Sequence, residues 1–280
     1  MAAISSGLSS KGLLAKRQRD ETSYFKEFML RLLCVTAHPD DEAGGFGGSL
    51  ALYRERGVET SVICLTPGQA ARNRGGARSD EELAALRRRE FAAACALLKI
   101  AHGEVLSYPD AGLDRVNLYE VAGEVTLRLR RLRPQVVLTF GPEGAITGHP
   151  DHSMASLIAT LAFHWAGRPD RYPAQLQDGL RPHRAQKLYY ATAGFTLPDR
   201  PPVSLPPSTA GIEITPEHLE AKIKAFKLHT SQGPLHARFE ETMRKRGHKE
   251  LFHLAAAITP RRAEIETDLF AGVTEEASSS

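Results

Sequence analysis

From residue 30 onward, apolar runs of strand length alternate with segments of helical period. Leu30 to Ala37 reads as a buried strand. Gly47 to Arg56 reads as a helix, stopped by Gly57, which can take the left-handed cap conformation. Val58 to Leu65 is the next strand. Ser79 and Glu82 form a capping box that opens a helix to about Lys99, with Leu83, Leu86, Phe91, Cys95 and Leu98 at helical spacing. Val105 to Tyr108 reads as a short strand, Asn117 to Leu132 as a helix, and Gln135 to Phe140 as a strand buried on both faces. A helix to about Trp165, capped by Asp151, a strand from Lys187 to Ala193 and a helix from Glu217 to Thr230 follow. Such alternation predicts an α/β fold, doubly wound on a mainly parallel sheet. Two stretches break the pattern, 167–186 and the proline-rich 195–211, and both read as long surface loops. The expected organisation is a disordered leader over 1–28, one α/β domain over 29–272 and a disordered tail over 273–280.

Polar clusters sit just after the apolar runs. His38-Pro39-Asp40-Asp41-Glu42 follows the first strand. Asp110 follows Tyr108. His149-Pro150-Asp151-His152 lies a short loop beyond Phe140. In an open parallel sheet, ligands bind outside the carboxyl ends of the strands, so all three clusters belong at one edge. Helix capping alone would explain one such cluster, because acids favour helix N-termini. Two His/Asp clusters at one edge point to a shared metal site. Catalytic zinc takes three protein ligands and leaves a position for water. The chain can supply His38, one of Asp40 and Asp41, and His152. The other aspartate is then free to act as general base. His149 reads either as a fourth ligand or as an oxyanion or acid group, with Asp151 orienting its ring. The same ligand types accept Zn2+ or Fe2+.

Other features narrow the function. The net charge is +3, and the first 31 residues, with six basic and three acidic side chains, account for all of it. The rest is neutral overall, which argues against a nucleic-acid partner. Arg87-Arg88-Arg89 reads as a solvated helix face. No apolar run approaches the length of about 18 residues that a membrane-spanning helix needs. Cys34, Cys64 and Cys95 are far apart in apolar contexts, as buried thiols of a reducing, cytoplasmic compartment would be. Gly44 to Gly48 invites a dinucleotide-binding reading, but the third fingerprint glycine falls on Leu50. Close backbone packing explains these glycines better.

The paired His motifs resemble the signature of the PIG-L/LmbE-like family of zinc-dependent N-acetylglucosaminyl deacetylases. Thr66-Pro67-Gly68-Gln69 is similar to that family's Thr-x-Gly-Glu turn, and Lys227 to Gln232 to its late His-x-[ST]-Gln helix end. The likeness spans about residues 30 to 235. It implies a Rossmann-like fold with zinc held by His38, Asp41 and His152. Asp40 would be the general base, and His149 an electrostatic or acid partner oriented by Asp151. Arg72, Arg74 and Asp110 would lie on substrate-contacting loops. Gln69 replaces the family's Glu, and Thr147 stands where some thiol-cofactor deacetylases carry Tyr.

The expected activity is metal-dependent hydrolysis of an N-acetyl or N-acyl group on a small-molecule amino sugar or its glycoside. An amidase acting on a larger natural-product conjugate would use the same residues. A non-haem iron oxygenase also uses two histidines and a carboxylate, but the doubly wound pattern and the spare Asp40 favour hydrolysis. A non-catalytic sugar- or nucleotide-binding domain has no need of an open metal position. A homo-oligomer is compatible with the sequence.

Overall fold

A computed structural model describes residues 29–177, 179–198, 200–259 and 264–275. The leader expected over 1–28 lies outside the described residues, as does the tail from 276 onward. The strands are β1 (Arg31–Thr36), β2 (Glu59–Cys64), β3 (His102–Val105), β4 (Val136–Phe140), β5 (Lys187–Thr192), β6 (Ala210–Glu213) and β7 (Lys249–Ala257). The helices are α1 (Asp41–Glu55), α2 (Asp80–Leu97), α3 (Leu118–Leu132), α4 (Pro150–Ala166), α5 (Ala174–Gln177), α6 (Pro216–Lys227) and α7 (Gly233–Arg246).

The strands form one sheet in the order β3-β2-β1-β4-β5-β7-β6. The first five are parallel, and β7 runs antiparallel between β5 and β6. β1 is the centre. Leu33 pairs in register with Ser61 on one side and with Val137 on the other. Leu32, Leu33, Cys34 and Val35 are all fully buried, as a strand covered on both faces requires. From β1 the chain winds outward through β2 to β3, then returns to place β4 on β1's other side. The connections therefore diverge between β1 and β4. In an open α/β sheet the crevice at such a point is where ligands bind. The mainly parallel, doubly wound sheet expected from the sequence is present.

Several boundaries differ, each for a physical reason. The third strand is His102–Val105 rather than Val105–Tyr108. It is an edge strand, paired only with β2 among the described residues, so it needs no apolar run to form. α1 begins at Asp41, six residues before the expected start at Gly47. Two of its four glycines sit where neighbours leave little room for a side chain. A Cβ at Gly48 would lie 2.8 Å from Glu250 Oε1, and one at Gly47 3.2 Å from Lys222 Cγ. Ser79 does cap α2 by accepting from Glu82 N, but the Glu82 carboxylate accepts from Arg78 N instead of Ser79 N. The expected tail begins too early: Thr274 exchanges two hydrogen bonds with Gln186, and Val273 packs on the core. Within 195–211, read as loop, Ala210 and Gly211 already belong to β6.

Arg87 and Arg88 do not form a solvated face. Arg87 is buried, and Arg88 bonds Val105 O, Leu106 O and Ser107 Oγ. Only Arg89 of the three is exposed. Cys34, Cys64 and Cys95 are free and buried, as expected. Among the described residues no helix is long and apolar enough to cross a membrane.

One buried ion pair ties α1 to the far side of the sheet. Glu250 on β7 accepts from Gly48 N at 2.9 Å, Ser49 N at 2.8 Å and Lys222 Nζ of α6 at 2.6 Å. Glu250→Ala strands the Lys222 charge. It should lower unfolding stability by about 3–5 kcal/mol, the usual loss when one partner of a buried pair is removed. Urea unfolding reads this directly, and an unshifted midpoint would contradict it.

Candidate metal centre

The carboxyl end of β1 turns sharply into α1. Asp41, the first residue of α1, folds this turn: its Oδ2 accepts from His38 N at 2.8 Å and from Ala37 N at 3.2 Å. The same oxygen lies 3.5 Å from His38 Nδ1, and Oδ1 lies 3.2 Å from His152 Nε2. One carboxylate therefore touches both histidine motifs. His152 enters from the first turn of α4, beyond the carboxyl end of β4. Its ring stacks on Phe140, the last residue of β4, at 4.0 Å and 8°. Its Nδ1 faces Thr147 Oγ1 at 3.3 Å.

His38, His149 and His152 each present a ring nitrogen, and these lie within 4.8 Å of one another. The other side of His38 meets two carboxylates. Its Nε2 is 3.1 Å from Asp110 Oδ1 and 3.2 Å from Asp151 Oδ2. A nitrogen of His38 with an oxygen each of Asp110 and Asp151 makes a second set within the same 4.8 Å. Three carboxylates thus surround His38. Burial pulls the His38 pKa down, but Asp110, Asp151 and Asp41 outweigh it and raise it well above the ordinary value. Burial pushes Asp41 up, and His152 and His38 override that to hold it well below the carboxylate range. Anionic oxygens crowded around imidazoles in a largely buried cluster fit a divalent cation by donor chemistry.

Asp40 is set apart from this group. It occupies φ 118°, a left-handed conformation costly for any residue but glycine. Although it stands at the N-cap of α1, its side chain caps nothing. The carboxylate accepts instead from Arg87 Nη2 at 3.0 Å. Arg87 also donates to Pro39 O and to Gly68 O, clamping the β1–α1 turn to the Thr66–Gln69 turn. Burial pushes the Asp40 carboxyl up to about 6, against the pull of Arg87.

The sequence-predicted residues fare differently. His38, Asp41, His149, Asp151 and His152 come together, with Asp40 beside them. Asp110, expected on a substrate-contacting rim, is instead inside the cluster, with Ala70 N donating to its Oδ2. The Asp151 carboxylate does not reach toward His149; it binds His38 and the amides of Ala111 and Leu113. The link to His149 runs through the Asp151 backbone, whose N–H donates to His149 Nδ1 at 3.1 Å. His149, not Asp151, therefore caps α4. Arg74 folds onto its own loop through Ala77 O and Asp80, and Arg72 is exposed. Sequence reasoning missed Arg87 and the buried Glu42–His229 pair, whose Oε1 and Nε2 are 2.6 Å apart. A charged residue at a core position of α2's apolar stripe was the available signal for Arg87.

Residues 33–163 match the family model described as PIG-L, GlcNAc-PI de-N-acetylase. A diacetylchitobiose deacetylase of Thermococcus kodakarensis is 30% identical over 204 residues, 73% of this chain and 70% of that protein. This chain belongs to the PIG-L family. A 1D-myo-inositol 2-acetamido-2-deoxy-alpha-D-glucopyranoside deacetylase of Catenulispora acidiphila is 29% identical, covering 86% of this chain and 97% of that one. The solved N,N'-diacetylchitobiose deacetylase of Pyrococcus horikoshii shares the fold, with a TM-score of 0.65 at 23% identity, over 98% of this chain and 99% of that one. The PIG-L match takes in β1 from Leu33, β4, both histidine motifs and nearly all of α4.

The Arg87 clamp needs a bare turn. Gly68 has φ +68°, and a Cβ there would collide with Arg87 Nη1. Gly68→Ala should cost about 1–3 kcal/mol of stability from backbone strain alone. A denaturation midpoint equal to that of the parent chain would show that the turn relaxes freely.

Proposed function

We propose that this PIG-L-family hydrolase removes an N-acetyl group from an amino sugar or its glycoside, with Zn2+ held by His38, Asp41 and His152. One observation carries the reading. A single carboxylate, Asp41, touches both His38 and His152, while a second, Asp40, is held beside them by Arg87. When bound, zinc supplies Lewis acidity for the amide carbonyl and for water.

The chain's own groups do the rest. Asp40 is the general base in this reading, because its carboxylate is spared from capping and is held by Arg87 one residue before Asp41. A carboxyl that burial makes more basic suits proton removal near neutral pH. Having taken a proton from water, Asp40 can return it to the departing amine. His149 accepts a backbone N–H at Nδ1, so in its neutral form the proton sits on Nε2. Burial, then the neighbouring His38 and His152, keep its pKa low and favour that neutral form. An N–H donor so placed stabilises the oxyanion as the carbonyl is attacked. Asp151 and Asp110 hold the His38 ring from behind. Arg72, exposed on the loop before α2, is the remaining rim group for sugar hydroxyls. The reading places the enzyme in the cytoplasm, where its three free thiols suit a reducing medium.

Asp40→Asn should lower acetate release from N-acetylglucosamine or its glycosides by about 10²–10⁴-fold, the contribution of a positioned base. Bound zinc should be retained. Full activity in Asp40→Asn would remove the base assignment. His152→Ala should instead lose the metal itself, measured by elemental analysis after dialysis. Parent-like zinc content in that variant would remove His152 from the ligand set.

A further inference from the structure

The first turn of α1 carries a constraint that the reaction outlined above does not use. Asp40 sits at φ 118° and ψ −25°, and something must hold it there. Its N–H donates to Glu42 Oε2 at 3.0 Å. Glu42 is fully buried, and its other oxygen accepts from His229 Nε2 at 2.6 Å. His229 is also fully buried, and it lies 187 residues along the chain. Its Nδ1 is buried and pairs with nothing among the described residues, so the ring's hydrogen bond goes to Glu42 alone.

His229 is itself anchored from two sides. It begins the short turn Thr230–Gln232 between α6 and α7. Glu90 of α2 accepts from Thr230 Oγ1 at 2.6 Å, Ser231 N at 2.6 Å and Ser231 Oγ at 2.7 Å. His236 Nε2 of α7 donates to His229 O at 3.0 Å. The imidazole thus projects from a turn braced by α2 and α7 into the start of α1. A carboxylate with one oxygen already engaged by a fixed donor loses its freedom to rotate. Its second oxygen is then presented to the Asp40 amide.

We infer that His229 is a positioning residue: acting through Glu42, it locks the strained backbone of Asp40 and so aims the base. The inference rests on the Asp40 assignment above. Without the His229 donor, Glu42 can turn and the Asp40 backbone can relax, moving the carboxylate off its line of attack. Zinc binding should not change, since His38, Asp41 and His152 do not touch His229.

The test uses the zinc-loaded full-length enzyme with His229→Leu, which removes the donor, and His229→Gln, which keeps an N–H donor. The kcat of His229→Leu should fall by about 10–100-fold, the range for a supporting residue around a metal site. KM and zinc content should stay as in the parent, and His229→Gln should recover most of the lost kcat. Hydrogen exchange of a peptide covering residues 38–43 should accelerate in the Leu variant, with or without zinc. Glu42→Gln keeps an acceptor but loses the charge, and should show the same split in milder form.

Parent-like kcat in His229→Leu, or a loss matched by lost zinc, would overturn the inference. Equal loss in the Gln and Leu variants would also overturn it. Asp40→Asn run alongside separates the two readings. If Asp40→Asn is inactive and His229→Leu is not, only the positioning role falls. If Asp40→Asn is active, the base assignment falls, and the exchange rate alone decides whether His229 holds the turn. Should the Leu variant fail to fold, the Gln and Glu42→Gln variants carry the same comparison.

Discussion

The Asp41 carboxylate is the contact on which the rest of the site depends. One oxygen binds the amides of Ala37 and His38 and so folds the exit from β1. The other reaches His152, which enters from α4. A residue that both shapes the turn and joins the two motifs makes local folding and site assembly one event. The sheet supplies the reason they can meet. β1 and β4 are neighbours in register, so the residues after their carboxyl ends emerge side by side.

Around that contact the chain sorts its carboxylates by environment. Asp41 is held strongly acidic by two imidazoles despite its burial. Asp40, one residue earlier, is pushed to about 6 by burial, even with Arg87 beside it. Adjacent aspartates with opposite shifts suit opposite roles, one as a charged ligand and one as a proton acceptor. The left-handed backbone at Asp40 permits this, because it sends two neighbouring side chains in different directions. Such strain persists only where the surroundings over-determine it. Arg87 grips the side chain and Pro39, and Glu42 grips the amide.

Much of this was legible in the sequence, and the rest was not for identifiable reasons. Apolar runs located β1, β2, β4 and β5: β1 and β4, covered on both faces, leave a mostly apolar record, and β2 and β5 keep the shorter runs Val62-Ile63-Cys64 and Leu188-Tyr189-Tyr190-Ala191. The edge strand β3 and the antiparallel β6 and β7 leave no such record, and the sequence pattern marks none of β6, β7, α5 and α7, α5 lying within the expected loop 167–186. The histidine motifs were visible because their residue types are rare side by side. Their wiring was not. That Asp151 faces His38 rather than His149, and that Asp110 lies within the cluster, depends on how the loop after β3 folds over α4. No local pattern encodes that contact. Arg87 lies four residues after Leu83 and four before Phe91, on the apolar stripe of α2, but its partners Pro39, Asp40 and Gly68 come from distant loops that no local pattern names.

The proposed site requires His38, Asp41 and His152, from two distant motifs, to share one cation. The most direct measurement is a crystal structure of the zinc-loaded enzyme with anomalous scattering recorded at the zinc edge. A single strong peak bonded to His38, Asp41 and His152 at about 2.0–2.2 Å is the predicted result. A peak lying instead among His38, Asp110 and Asp151, or no peak within bonding distance of His152, would contradict it.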